Sequence, residues 1–208
     1  ISTITHSGSH AGYYPGSESL SIKILYSPEN GKLFGGQVVG YGGVDKRIDI
    51  IATIIGQNGT VYDLMEIEHA YAPPFSSAKD PVNMAGFVAE NVINGKVKIA
   101  TWDIANNFDA VTDYLLDVRS PEECKQGMIK GAVNIPLDEL RLRLDEIPSD
   151  KRIIVYCAIG MRGYLASRIL LQNGYSNTYN ITGGYKTYLL AHKDQEIMTN
   201  LADTKIKS

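Results

Sequence analysis

The residues best able to do chemistry in this sequence are a cysteine at the end of an apolar run and an arginine five positions later, where helical periodicity begins. They lie in 152-RIIVYCAIGMRGYLASRILL-171, where Arg152 to Cys157 reads as a strand and Gly163 to Asn173 as a helix. Between them Ala158, Ile159, Gly160, Met161, Arg162 and Gly163 must bend the chain into a helix. That helix's first amides lack intrahelical partners and carry the positive end of its dipole. A thiolate of Cys157 placed there is stabilised by amides and dipole together and is nucleophilic at neutral pH. Gly160 and Gly163 permit tight backbone geometry, and Arg162 offers a fixed charge to an anionic substrate. The alternative is a small core cysteine without chemistry; the glycines and the arginine behind the strand end favour the nucleophile.

The elements that position this loop alternate strictly from about residue 98. Strands are expected at Tyr114 to Val118, Ala132 to Ile135, Arg152 to Cys157 and Thr178 to Ile181. Helices are expected at Pro121 to Gln126, Leu137 to Ile147, Gly163 to Asn173 and Gly184 to His192. Such alternation predicts an α/β domain with a mainly parallel sheet, whose ligands bind outside the carboxyl edge of the strands, where Cys157 stands.

The first half has a different rhythm. Leu20, Ile22, Ile24 and Tyr26 alternate, the chain breaks at Pro28-Glu29-Asn30-Gly31, and a second extended run follows, which predicts an antiparallel hairpin. Ile48, Ile51, Ala52 and Ile55 then repeat at helical spacing, residues 60–70 suggest a short helix, 71-YAPPFSSAKDP-81 must be irregular, and Pro81 to about Asn94 is a final helix. Hairpin first and helices afterwards is an α+β order. The expected organisation is an α+β domain over 1–97, an α/β domain over 98–193 and a poorly ordered tail over 194–208.

Composition bounds the partners. With 208 residues, 44% hydrophobic and 21% charged, and a formal net charge of -3, the chain has no electrostatic case for nucleic acid or an anionic membrane surface. Its apolar runs are far shorter than the roughly 20 residues that span a bilayer. The amino terminus does not read as a signal peptide and does not begin with Met, so a processed product or a piece of a longer protein is expected. Cys124 and Cys157 are too few for a disulfide framework and too far from any His cluster for zinc, so no metal and a reducing cytoplasm are expected. His6 and His10 have i, i+4 spacing but fall in a Ser/Gly-rich turn, which suits a surface or interface better than a metal. Asn58-Gly59-Thr60 and Asn180-Ile181-Thr182 are read as chance glycosylation triplets.

Residues 115-LLDVRSPEECKQGMIKGAVNIPLDEL-140, 154-IVYCAIGMRG-163 and 182-TGGY-185 resemble a rhodanese-type sulfurtransferase domain. The resemblance implies that Cys157 carries a persulfide sulfur within a six-residue loop, matched here by Cys157 to Arg162. Related phosphatases use a loop one residue longer. Asp117 and Arg119 match a motif whose role in the family is structural. Met128 replaces a customary histidine, and Cys124 an aromatic; Cys124 reads as a packed helix residue, since nothing nearby activates it.

The segments 10-HAGYYPGSESLSIKILY-26, 33-LFGGQVVGYGGVDKRIDIIATII-55 and 69-HAYAPPFSSAKDPVNMAGFVAENV-92 resemble the dimerisation domain of pyridine nucleotide-disulfide oxidoreductases, in particular coenzyme A disulfide and persulfide reductases. The resemblance implies a homodimer through residues 1–97, with Ile48, Ile51 and Ile55 on an interface helix, and FAD, NADH and CoA in a parent enzyme. It also implies amino-terminal nucleotide-binding domains that this chain lacks: 35-GGQVVGYGG-43 does not spell the dinucleotide fingerprint, so no cofactor is expected in the fragment itself. Tyr71, and Tyr13 or its neighbour Tyr14, match tyrosines that reach a partner's active site, where a phenol can donate a proton to a departing thiolate. Packing of these rings at the interface is the alternative. For the cysteine loop the alternatives are a domain that presents a small thiol or persulfide without catalysis, and a phosphatase-like activity that the loop length disfavours.

Overall fold

The computed structural model describes residues 1–193. They fall into two compact units, Ile1–Val97 and the residues from Lys98 on.

In the first unit three antiparallel strands, β1 (Ser2–Gly8), β2 (Ser19–Tyr26) and β3 (Leu33–Gly40), form a sheet in that order. The alternation of β2 sends Leu20, Ile22, Ile24 and Tyr26 inward, where all four are fully buried. They pack with Ile51 of α1 (Val44–Gly56), Val61 and Leu64 of α2 (Val61–Glu66), and Val82 and Ala85 of α3 (Pro81–Ile93). Helix α3 starts where its sequence says it should: Pro81 needs no amide partner, and Asp80 accepts from the Val82 amide at 3.0 Å.

Two expectations change here. The strand β1 is absent from the hydrophobic pattern because its inward residues are Thr3 and Thr5. His6 therefore sits on a strand, with Nδ1 2.7 Å from Ser21 Oγ, and not in a turn. Ile51 is wholly buried in the core of its own unit and Ile55 packs partly against it, so Ile51 cannot line an interface, whereas Ile48 is half-buried and Ala52 exposed.

The second unit is a five-stranded parallel sheet in the order β4-β8-β7-β5-β6. Its strands are β4 (Lys98–Ala100), β5 (Asp113–Asp117), β6 (Val133–Asn134), β7 (Arg152–Tyr156) and β8 (Thr178–Ile181). Helices α4 (Pro121–Lys125) and α5 (Met161–Gln172) and a helix over 184–193 cover it. After Arg152, strand β7 is apolar because both faces are covered: Ile153, Val155 and the following Cys157 join one core cluster, and Ile154 and Tyr156 the other.

The helix expected over 137–147 is replaced by two 3-10 turns, Leu140–Leu142 and Leu144–Glu146. Leu137, Leu140, Leu144 and Ile147 keep their inward spacing in either form. Arg143 interrupts helical geometry at φ -125 and ψ 25, and the Leu144 carbonyl, whose i+4 residue is Pro148 without an amide, accepts the Tyr175 hydroxyl at 2.5 Å instead. The tail over 194–208 lies outside the described residues.

Candidate active-site loop and tyrosine pair

Cys157 follows the last residue of β7, and its Sγ accepts the Gly160 amide at 3.1 Å. The loop turns at Gly160, whose φ of 116 is open to glycine, and α5 begins at Met161. A second helix start braces the loop from behind. The Tyr185 amide donates to the Cys157 carbonyl at 2.8 Å and the Lys186 amide to the Ala158 carbonyl at 3.0 Å. Gly184, at φ +59, lets this helix approach so closely that a Cβ there would lie 2.5 Å from the Cys157 carbonyl oxygen. Asn180 Nδ2 donates to the Gly160 carbonyl at 3.2 Å, and its Oδ1 lies against Gly163.

The loop therefore has a polar floor and an apolar rim. Cys157 is only 1% exposed, whereas Ile159 and Met161 are 43% and 53% exposed. Burial and amide contact coexist at Cys157, so the two sequence readings of this residue, core member and cradled sulfur, both describe it.

Arg162, the fixed charge that the sequence offers to an anionic substrate, is paired in the structure. Its two terminal nitrogens donate to the two carboxylate oxygens of Glu123, each at 2.6 Å. That pairing raises Arg162 above its ordinary value, with Cys157 a smaller contributor, and holds Glu123 down at about 2. Glu123 is itself fixed by a capping box: it accepts from the Ser120 amide at 3.0 Å, and its own amide donates to Ser120 Oγ at 3.3 Å. Ser-Pro-Glu-Glu at residues 120–123 was a legible helix-start signal, but its second role, holding the arginine, was not.

In the first unit the structure brings two expected residues together. The hydroxyls of Tyr13 and Tyr71 are 2.9 Å apart, on exposed side chains. Tyr14 turns instead to His10, ring edge to ring face at 5.9 Å between centroids. The loops that carry the pair are tied by Ala11, whose amide donates to the Ser76 carbonyl at 3.1 Å. Beneath them lies Arg47, wholly buried, which sequence reasoning missed. It donates to Asp80 Oδ1 at 3.2 Å and Oδ2 at 2.8 Å, to the Ser9 carbonyl at 2.8 Å and to the Gly43 carbonyl at 2.9 Å. Ser76 Oγ donates to the same carboxylate at 2.7 Å. A charged residue on the inner face of an amphipathic helix, 33 positions from a helix-capping aspartate, gives no local signal.

Residues 2–81 match the family model described as the pyridine nucleotide-disulphide oxidoreductase dimerisation domain, and residues 101–191 match the rhodanese-like domain. The chain thus carries matches to both family models in one polypeptide. It is similar to a Bacillus anthracis protein solved as reduced CoADR-RHD, at 50% identity and a TM-score of 0.87 over 90% of this chain and 34% of that one. It is also similar to a NAD-dependent persulfide reductase from A. fulgidus, at 38% identity and a TM-score of 0.78 over 88% of this chain and 33% of that one. A curated coenzyme A disulfide reductase from Staphylococcus epidermidis is 45% identical over 83 residues, 40% of this chain and 19% of that protein. The chain thus spans at most about a third of the length of these relatives.

In the rhodanese-like domain Asp117 and Arg119 form a buried bidentate pair, with Arg119 also donating to the Gly127 carbonyl at 2.7 Å. The guanidinium lies 4.0 Å from the Tyr185 ring centroid, which stacks in turn on Tyr156 and Tyr188. These contacts engage both side chains with the scaffold under the cysteine loop, in keeping with a structural role. Met128 is half-buried beside this scaffold. Cys124 points its Sγ at Asp117 Oδ2, 3.5 Å away; burial, then the Asp117 charge, push the thiol up to about 11.

The glycine segment over 35–43 in the dimerisation domain does not form a dinucleotide cradle. It lies on β3 and at the start of α1, and the space a Cβ would take at Gly43 is already filled by the Arg47 guanidinium.

Proposed function

We propose that the rhodanese-like domain transfers sulfane sulfur through a persulfide on Cys157, as part of a longer flavin-dependent reductase of coenzyme A disulfide or persulfide. The observation that carries the reading is the position of Sγ, at the carboxyl edge of a parallel sheet, 3.1 Å from a loop amide at the start of α5. A Cys157 thiolate attacks the outer sulfur of a donor R–S–SH. The donor's S–S bond breaks, a new S–S bond forms to Cys157, and R–S⁻ leaves with the electron pair, so that no net oxidation occurs. The loop amides hold whatever negative charge remains on the outer sulfur. A thiol acceptor then takes that sulfur by the reverse of the same exchange.

The dimerisation domain's part in this reading is to pair two copies and to present the Tyr13–Tyr71 hydroxyls to a thiolate leaving in the partner's site. Large apolar side chains exposed on and beside β3, Phe34, Val39 and Tyr41, suit such an interface. Flavin and nicotinamide would be held by segments outside this sequence, and a reducing cytoplasm is the matching compartment.

The experiment is intact mass after brief exposure to a polysulfide, for the chain and for Cys157→Ser. One added sulfur, found only with Cys157 and removed by a thiol, is the expected result; no adduct on either protein would reject the transfer. A second reading rests on the 1% exposure of Cys157: the loop presents a carrier thiol without reacting. Coenzyme A binding without any sulfur adduct would select it.

A further inference from the structure

We infer that Glu123 determines which sulfur donor the cysteine loop accepts: by occupying Arg162 it selects a persulfide, whose sulfur end carries at most one charge, over the thiosulfate dianion. This rests on the sulfur-transfer reading above and adds to it a specificity residue from outside the loop. A guanidinium beside a nucleophilic sulfur would ordinarily serve a doubly charged donor well, because its planar fork matches two anionic oxygens. Here that fork is already matched, nitrogen for oxygen, at 2.6 Å on each arm. The competing carboxylate cannot swing aside freely, because the Ser120 amide holds one of the same oxygens at 3.0 Å. Nor does protonation release it near neutral pH, since Arg162, more than any other neighbour, holds it at about 2.

The rest of the rim agrees. Its exposed side chains, Ile159 and Met161, are apolar, and they suit the carbon chain of an organic thiol better than a sulfonate head. The nearby Arg119 is spoken for in the same manner, by Asp117 at 2.6 Å. Two carboxylates thus compensate the two guanidinium groups, and although Arg162 still reaches the Cys157 sulfur, the loop offers an incoming anion its amides and no uncompensated cation. Amides are enough to hold the single charge of a transferred sulfur. They lack the second cation that would balance S–SO₃²⁻, from which Cys157 would displace SO₃²⁻ with the electron pair of the broken S–S bond.

The test uses this same 208-residue chain, with the rate of sulfur loading on Cys157 read by intact mass against two donors, glutathione persulfide and inorganic thiosulfate. Glu123→Gln keeps the size of the side chain and one acceptor for Arg162 while removing the competing charge. The expected result is that Glu123→Gln shifts the thiosulfate-to-persulfide rate ratio about tenfold or more toward thiosulfate, the scale of one charge-assisted contact. Adding Arg162→Gln to that variant should cancel the gain. An unchanged ratio in Glu123→Gln, with Cys157 still loaded by persulfide, overturns the inference and leaves sulfur transfer standing. So does a gain that survives Arg162→Gln. Loading of Cys157 by neither donor in any variant overturns both.

Discussion

Tyr13 and Tyr71 are 58 positions apart in sequence, yet their hydroxyls meet at 2.9 Å on the surface of the dimerisation domain. The contact raises Tyr13 above the ordinary phenol value, chiefly because the Tyr71 hydroxyl shares its hydrogen bond with the protonated form. Tyr71→Phe should therefore bring the Tyr13 titration down toward the ordinary value. Labelling tyrosine rings with carbon-13 and following Tyr13 through an alkaline titration reads this directly. A Tyr13 titration that does not move in Tyr71→Phe would mean that the two hydroxyls do not share a proton in solution.

The pair depends on loops that carry little core of their own, and Arg47 is what joins them to the fold. Arg47→Met leaves the Asp80 carboxylate buried without its partner and removes the donors to the Ser9 and Gly43 carbonyls. Breaking one side of such a pair costs about 3–5 kcal/mol. Urea unfolding followed in the dimerisation domain should show a loss of that size. Burial alone would raise Asp80, but hydrogen bonds from Arg47, the Val82 amide and Ser76 outweigh it and leave the carboxyl below its ordinary value. The folded chain thus binds this proton less readily than the unfolded one. The stabilisation from Asp80 is complete above the ordinary aspartate range and fades on acidification below it, so the Arg47→Met deficit should shrink as the pH falls under about 4.

The Glu123–Arg162 pair obeys the same sign. Its folded value of about 2 lies below the ordinary 4.5, so its contribution to stability is present above 4.5 and is lost as the pH falls toward 2. Both side chains are about a third exposed, which keeps that contribution small. Wild type and Glu123→Gln should differ in thermal midpoint by the same modest amount at pH 8 and pH 6, and should converge below pH 4. Donor selectivity set by Glu123 should likewise be constant over pH 6 to 8. A selectivity that switches within that window would require a different titrating group.

Cys124 should be the inert thiol of the two. With its thiol pushed up to about 11 by burial and by Asp117, it carries almost no thiolate at pH 8. Iodoacetamide at pH 8 should leave Cys124 unmodified in the folded chain and label it fully in urea, as read by peptide mass mapping. Rapid labelling of folded Cys124 would show that the Asp117 contact does not persist.

Much of this was legible in the sequence, for reasons that differ by element. Strand β7 and helix α5 announce themselves through an unbroken apolar run and helical spacing, and the glycines between them mark the loop. The Tyr13 and Tyr71 positions followed from resemblance, and no pattern of spacing would have joined them. What the sequence hid was pairing at a distance. Arg47 with Asp80 and Arg162 with Glu123 lie 33 and 39 positions apart, and a charged residue shows no sign in sequence of whether its charge is free. Strand β1 was hidden because its buried face is threonine. The segment 137–147 reads as a helix in sequence because two tight turns and a helix can bury the same four apolar side chains.

The loop's geometry also depends on a glycine outside it. Gly184 has φ +59, a left-handed conformation, and a Cβ there would lie 2.5 Å from the Cys157 carbonyl oxygen and 2.9 Å from the Ile159 amide nitrogen. Both are backbone atoms, so the clash cannot be relieved by a rotamer change. Gly184→Ala must either push the 184–193 helix away, lengthening the bonds from the Tyr185 and Lys186 amides, or shift the loop that holds Cys157. Overpacking of this kind costs about 1–3 kcal/mol. Sulfur loading of Cys157 should fall more than stability does, because an ångström of displacement at a reacting atom can cost on the order of a hundredfold in rate. Gly174→Ala is the control. Gly174 also has positive φ, at +91, but nothing lies within 4 Å of its Cβ position, so it should destabilise the domain without slowing the loading of Cys157. Equal effects of the two variants on loading would show that the loop does not rely on the contact at Gly184.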